Sequence, residues 1–161
     1  MKLYTTKNSG NGYKVALLLS MLKHPYETVI VDFPNGEHKR KPFTVHNPRS
    51  QVPVREDGGR VLWDSSACMV YIARKYGGEQ WLPNDPGEMG EVMQWIALAL
   101  NEIQFGLQYA RGIVRGIRTG HYEEGAELGR KGLGVLEGHL HQNEWLALGR
   151  PVAKSQAGYQ I

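Results

Sequence analysis

Between Asn47 and Ser65 the chain reads NPRSQVPVREDGGRVLWDS: a proline inside a strand-like run, then a hairpin, then an acid and a hydroxyl at the start of a helix. Proline has no backbone N–H and sits badly in a central strand, so Val52-Pro53 between apolar residues predicts a special backbone geometry, a cis bond. A cis bond there turns the N–H and C=O of Val52 outward, where an extended peptide can pair with them as a short added strand. Asp64 then offers a charge to an ammonium group and Ser65 a hydroxyl to a carboxylate, while the same pair also makes a good N-cap for the following helix. Two basic clusters, Lys39-Arg40-Lys41 and the helically spaced Arg111, Arg115 and Arg118, offer positive surfaces to an anionic ligand or are plain solvated faces. His121, His139 and His141 have no cysteine or carboxylate at metal-ligand spacing, so no metal is expected.

These residues need elements to hold them. Lys2 to Thr5 reads as a strand, Tyr13 to Leu22 as a helix after a polar glycine-bearing loop, and Tyr26 to Val31 as a second strand, which together make a β-α-β unit. A short helical piece is expected near Lys41 to His46, then strands Val52 to Glu56 and Arg60 to Trp63 around the turn Asp57-Gly58-Gly59, a strong hairpin signal. Ser65 to Tyr76 carries a helical apolar stripe that ends at Gly77-Gly78. Residues 78–87, with Pro83 and Pro86, read as a linker between a unit spanning 1–77 and one spanning 88–161. The second is helical throughout, with one long helix from Glu88 to about Ile117 and another from Tyr122 to Leu148. Gly125, Gly129, Gly132, Gly134 and Gly138 in the latter each cost up to roughly 1 kcal/mol of helix stability relative to alanine, which packing must offset.

Composition sets outer bounds. A chain of 161 residues, 41% hydrophobic and 22% charged, buries a real core. A net charge of +3 is too mild to argue for nucleic acid. The single cysteine, Cys68, excludes an internal disulfide and fits a reducing compartment, so a cytoplasmic location is expected. The apolar run Val15 to Leu22 is too short to span a bilayer, and no charged leader or cleavage site surrounds it.

From LYTTKNSGNGYKV at Leu3 to WLALGRP at Trp145 to Pro151, the chain resembles the bacterial glutathione S-transferases of theta-, beta- or nu-like type, with the motifs in the same order and spacing. The resemblance implies an α/β thioredoxin-like glutathione-binding domain followed by an all-α domain that supplies the second-substrate pocket. It implies glutathione as co-substrate, a small electrophile as second substrate, and a homodimer. By the same resemblance Ser9 matches the catalytic position and contacts the glutathione sulfur, with Asn11 able to donate to it as well; read alone, both are ordinary turn or cap residues. A free thiol of pKa near 8.5 is only about 3% thiolate at pH 7, and lowering that pKa by about two units needs roughly 2.7 kcal/mol. A hydroxyl donating to the charged sulfur supplies roughly 1.5 to 3 kcal/mol and a helix N-terminus about 0.3 to 1 more.

The other positions carry over one by one. His38 reaches the glycyl carboxylate with Lys39 assisting, Gln51 touches the same end, and Val52, set by Pro53, pairs with the cysteinyl backbone. Asp64 and Ser65 hold the γ-glutamyl ammonium and carboxylate, a role compatible with capping. Tyr109, Arg111 and Arg115 are the candidates for the electrophile pocket, against the plainer reading as packing and surface residues.

Two departures stand out. Many relatives have a cysteine where this chain has Gly12, so a second thiol in the site is absent, and glycine there allows close backbone approach to a ligand. Relatives also continue after Pro151 into a capping box that opens a central buried helix. Here Val152-Ala153-Lys154-Ser155 follows, so the helical domain is expected to be shortened, leaving an open apolar stripe of Val92, Ile96, Leu100 and Ile103 with Leu133, Leu136 and Leu140. The expected activity is transfer of the glutathione thiolate to small electrophiles, or peroxide or disulfide reduction through it. The rival is a non-catalytic, protein-binding member of the same fold or an inactive shortened relic.

Overall fold

A computed structural model describes residues 1–152 of the chain. It separates into two compact units, one of Met1–Leu82 and one beginning at Pro83.

The first unit runs β1 (Lys2–Thr5), α1 (Gly10–Met21), β2 (Glu27–Ile30), a 3-10 turn (Glu37–Lys39), α2 (Phe43–His46), β3 (Val54–Asp57), β4 (Arg60–Trp63) and α3 (Ser65–Ile72). The strands form one sheet in the order β2-β1-β3-β4, with β1 and β2 parallel and β3 antiparallel to both its neighbours, the thioredoxin-like arrangement. Alternation along the strands splits the sheet into two faces. Leu3 and Arg55 pair across one face; on the other, Val54 joins Val31 and Phe43 in a buried cluster that Tyr4, Phe33, Val52 and Val61 pack against. Helices α1 and α3 pack on each other, burying Val15, Leu18 and Leu19 of one and Cys68, Met69 and Ile72 of the other.

Boundaries shift for local reasons. Helix α1 starts at Gly10 rather than Tyr13 because Ser9 caps it, its Oγ accepting from the Gly12 N–H at 3.0 Å. The polar residues ahead of Tyr13 belong to the first turn. Strand β3 starts at Val54, one residue past Pro53, which has no N–H to give a ladder. The hairpin closes through Gly58 and Gly59 alone, at φ 54° and 77°, both left-handed, with Asp57 paired to Arg60. The Val52-Pro53 bond is cis, as its setting suggested; so is Lys41-Pro42, which the sequence did not announce.

In the second unit α4 (Pro86–Leu98), a ten-residue π-helical stretch (Ala99–Gln108) and α5 (Tyr109–Val114) follow one another directly, and α6 (Tyr122–Leu140) packs back on the π-helical stretch. Asp85 caps α4 through Gly87 and Glu88 N–H groups, both at 2.9 Å. Helix α6 stops at Leu140, well short of Leu148, and Trp145 to Leu148 form turns whose Leu146 and Ala147 are buried. The apolar stripe is not left open: Val92 and Ile96 are buried, Leu100, Ile103, Leu133 and Leu136 are half-buried, and only Leu140 is exposed. Close helix approach explains the difference. A Cβ on Gly106 would lie 2.4 Å from the Gly129 backbone nitrogen, so the π-helical stretch and α6 meet backbone to backbone and cover each other's apolar side chains. The stretch from Ala153 onward, on which the expectation of a shortened helical domain rested, lies outside the described residues. No helix is long and apolar enough to cross a membrane among those described.

Candidate functional site

One edge of the sheet collects the chemistry. Tyr4 of β1 pairs with Val54 of β3, and Val54 with Trp63 of β4, so the end of β1, the start of β3 and the end of β4 form one row. Ser9 follows β1, Gln51 and Val52 precede β3, and Asp64 and Ser65 follow β4, so all five emerge at that row. The loop leaving β2 starts there too, with the Val31 N–H donating to Thr5 O at 2.7 Å, and it leads to His38.

Ser9 is half-buried at the N-terminus of α1. Its Oγ accepts the Gly12 N–H, which leaves the hydroxyl hydrogen to be donated elsewhere. Asn11 is half-buried in the first turn of the same helix. Gly12 has a different use from the expected one. It is buried, and a Cβ there would strike Thr5 Oγ1, so its close approach is to the strand beside it rather than to a ligand.

Val52 is half-buried with its side chain against the Val31–Phe43–Val54 cluster, and its backbone N–H and C=O make no hydrogen bond among the described residues. Gln51 is exposed, and its carbonyl accepts from Asn47 Nδ2 at 2.7 Å. His38 stacks on Phe33 with ring centroids 3.9 Å apart and planes 7° from parallel. Burial, helped by the neighbouring Lys39 charge, pushes the His38 pKa below the usual histidine range, which favours the neutral imidazole, and Lys39 beside it is exposed.

Asp64 caps α3 with Oδ1 accepting from the Ser66 N–H at 2.8 Å, and holds a left-handed φ of 74°. Its Oδ2 faces Arg49 Nη1 at 3.7 Å. Ser65 is buried beside it. Lys14 of α1 also feels Asp64: burial lowers its pKa and the Asp64 charge opposes that shift. Sequence reasoning missed Asn47, Arg49 and Lys14; the Asn47-Pro48 turn signal was the one available clue, since a lysine on a helix carries no mark of its neighbours.

Cys68 is no part of this chemistry. It is fully buried, its Sγ donates to Leu62 O at 3.5 Å, and burial pushes its pKa up to about 12.

The electrophile candidates are not brought together. Two residues along a helix turn roughly 200°, so Tyr109 and Arg111 point to opposite sides of α5. Tyr109 lies against Gly125 of α6 and donates to Thr119 O at 3.4 Å, closing the turn between the helices, while Arg111 and Arg115 are exposed. Among the described residues no group of three or more His, Cys, Asp or Glu is gathered to hold a metal ion.

Comparison with known proteins accords with this geometry. The glutathione S-transferase N-terminal domain family matches residues 1–74. A probable glutathione S-transferase of Oryza sativa subsp. japonica, GSTF2, is 32% identical over 160 residues, 91% of this chain and 72% of that one. The crystal structure of a possible glutathione S-transferase from Rhodopseudomonas palustris superposes with a TM-score of 0.83 at 31% identity, over 94% of this chain and 76% of that one. The transcriptional regulator URE2 of Saccharomyces cerevisiae is 32% identical over 101 residues, 58% of this chain. The chain spans 33% or less of the length of the URE2 relatives from Debaryomyces hansenii and Saccharomyces cerevisiae. It belongs to the glutathione S-transferase family, with a thioredoxin-like first unit followed by a helical one.

Proposed function

We propose that the first unit binds glutathione as an extended peptide and that the chain is a cytoplasmic glutathione transferase, passing the thiolate to small electrophiles or using it to reduce peroxides or disulfides. The observation that carries the reading is the row Tyr4–Val54–Trp63, which delivers a hydroxyl, an unpaired strand backbone and an acid-hydroxyl pair to one edge of the sheet. Val52 pairs with the cysteinyl backbone, Lys39 and neutral His38 with Gln51 take the glycyl carboxylate, and Asp64 with Ser65 takes the γ-glutamyl end. Ser9, whose Oγ accepts the Gly12 N–H, donates its hydrogen to the sulfur. Asn11 and the N-terminus of α1 add to it. The electrophile is handled by the helical unit, with Arg111 and Arg115 as polar contacts and Tyr109 as the residue that shapes the turn.

Replacing Ser9 by alanine tests the assignment. The variant raises the pKa of bound glutathione by about one to two units and slows conjugation at neutral pH, with little change in binding, because the hydroxyl acts on the charged sulfur. A thiolate-absorbance titration that overlays the unaltered protein assigns the activation to Asn11 and the helix terminus instead.

The likeness to a transcriptional regulator favours a second reading, a binding module of the same fold without turnover. Retention on immobilised glutathione with no rate on a general electrophile selects it. A homodimer belongs to the first reading, with exposed Phe105, Val114 and Ile117 as apolar surface to be covered; sedimentation at micromolar concentration as a monomer removes it.

A further inference from the structure

The geometry points to Arg49 as the anchor for the α-carboxylate of the ligand's γ-glutamyl group, forming with Asp64 a charge pair that reads both halves of an amino-acid zwitterion. The inference rests on the glutathione reading and deepens it by naming a specificity residue outside the acid-hydroxyl pair.

Asp64 has only half its carboxylate to offer. Oδ1 is held by the Ser66 N–H at 2.8 Å, leaving Oδ2 for an ammonium group. A carboxylate bound a few ångströms from that acid meets like-charge repulsion, and the uncharged Ser65 hydroxyl does not offset it. A fixed cation at the same place does. Arg49 Nη1 stands 3.7 Å from Asp64 Oδ2, with the two side chains 48% and 29% exposed. Charge-assisted hydrogen bonds run at about 2.7–2.9 Å, so this pair attracts without consuming the guanidinium's donors. An exposed pair of this kind contributes little to stability, so a zwitterion can enter it by exchanging one salt bridge for two.

The guanidinium is also held where it stands. Its carbon lies 5.7 Å from the centroid of the Trp63 ring, the residue just before Asp64. Its backbone is clipped by Asn47, a buried side chain whose Oδ1 accepts from the Arg49 N–H at 2.9 Å while Nδ2 donates to Gln51 O at 2.7 Å. The Ser50 N–H returns to Asn47 O at 3.0 Å. One asparagine thus fixes the loop that carries both Arg49 and Gln51, and the planar fork of arginine suits a carboxylate better than a flexible lysine does.

Three peptides test this by calorimetry: glutathione, its analogue 4-aminobutyryl-Cys-Gly that lacks the α-carboxylate, and glutaryl-Cys-Gly that lacks the ammonium. The unaltered protein prefers glutathione to 4-aminobutyryl-Cys-Gly by about ten- to a hundredfold. Arg49→Ala loses that preference, binding glutathione more weakly by the same factor and 4-aminobutyryl-Cys-Gly unchanged, and Arg49→Lys restores part of it. Asp64→Ala shows the complementary loss against glutaryl-Cys-Gly. Equal weakening of all three peptides by Arg49→Ala makes Arg49 a support for the loop and overturns the inference, as does unchanged glutathione affinity. If the unaltered protein binds none of the three, the glutathione reading falls and takes the inference with it.

Discussion

The two units hold their chains together by opposite means. In the first, polar side chains are pinned one by one: Ser9, Asn47 and Asp64 each accept or donate at a defined backbone group, and a buried arginine is balanced by an acid. In the second, contact is made where side chains are missing, with Gly106, Gly125, Gly129 and Gly132 letting helices approach until their backbones touch. Polar pinning fixes direction, so functional groups at element ends keep their aim. Glycine contact fixes distance and leaves arginines such as Arg111 and Arg115 on open helix faces. A tyrosine-arginine set in the second unit is therefore weaker evidence of a site than an acid-hydroxyl pair in the first.

The largest effect expected from this contrast concerns Asp57. Arg55 is completely buried, faces the Tyr71 ring at 3.6 Å, and has Asp57 as its charge partner at 3.7 Å. Asp57 also accepts from Lys75 Nζ at 2.7 Å, from the Tyr71 hydroxyl at 2.9 Å and from the Tyr76 hydroxyl. Lys75, then Tyr76, hold its carboxyl far below the usual aspartate range. Asp57→Asn keeps the shape and strands the buried cation, at a cost of about 3–5 kcal/mol in urea unfolding at neutral pH. A depressed folded pKa contributes stability above the unfolded value of about 3.9, and the contribution is lost as pH falls below it. The gap between protein and variant narrows in acid; a gap that widens there removes Asp57 as the partner of Arg55.

Gly106→Ala comes next. The new methyl meets the Gly129 backbone at 2.4 Å, which no rotamer change relieves. Overpacking of this kind costs about 1–3 kcal/mol, against a helix-propensity gain of up to about 1. A calorimetric scan sharpens the contrast: Asp57→Asn moves the transition of the first unit and Gly106→Ala that of the second. One transition moved by both substitutions breaks it.

Much of the first unit was legible because its signals are local. Strand alternation, the Asp57-Gly58-Gly59 turn and the capping Asp64 each act within a few residues, and the register then brings their ends together without further instruction. Arg49 and the Arg55–Asp57 pair were not legible, since Asp64, Trp63, Tyr71 and Lys75 reach them only once β3, β4 and the helix after them stack, and Asn47, whose partners lie within its own loop, carried only a turn signal. In the second unit apolar periodicity gave helices but not their pitch. The π-helical turns of Ala99–Gln108 shift every later side chain around the axis, and this stretch, which carries Leu100 and Ile103, packs against α6. The glycines of α6 read as five equal costs, whereas the structure divides them.

That division carries the smallest prediction. Gly125, Gly129 and Gly132 are buried, and a Cβ on each would come within 2.9, 2.4 and 2.7 Å of a facing atom, whereas Gly134 and Gly138 are exposed with nothing within 4 Å. For the last two no packing offsets the entropy of glycine, so alanine gains what the helix propensity scale allows. Gly134→Ala and Gly138→Ala each raise stability by about 0.5–1 kcal/mol, read as a higher urea midpoint at an unchanged slope. The same change at Gly129 goes the other way, because its methyl meets the Leu107 side chain. If Gly134→Ala destabilises the protein as Gly129→Ala does, close approach is not what separates the two sets, and the view of the second unit as a bundle held at its missing side chains fails with it.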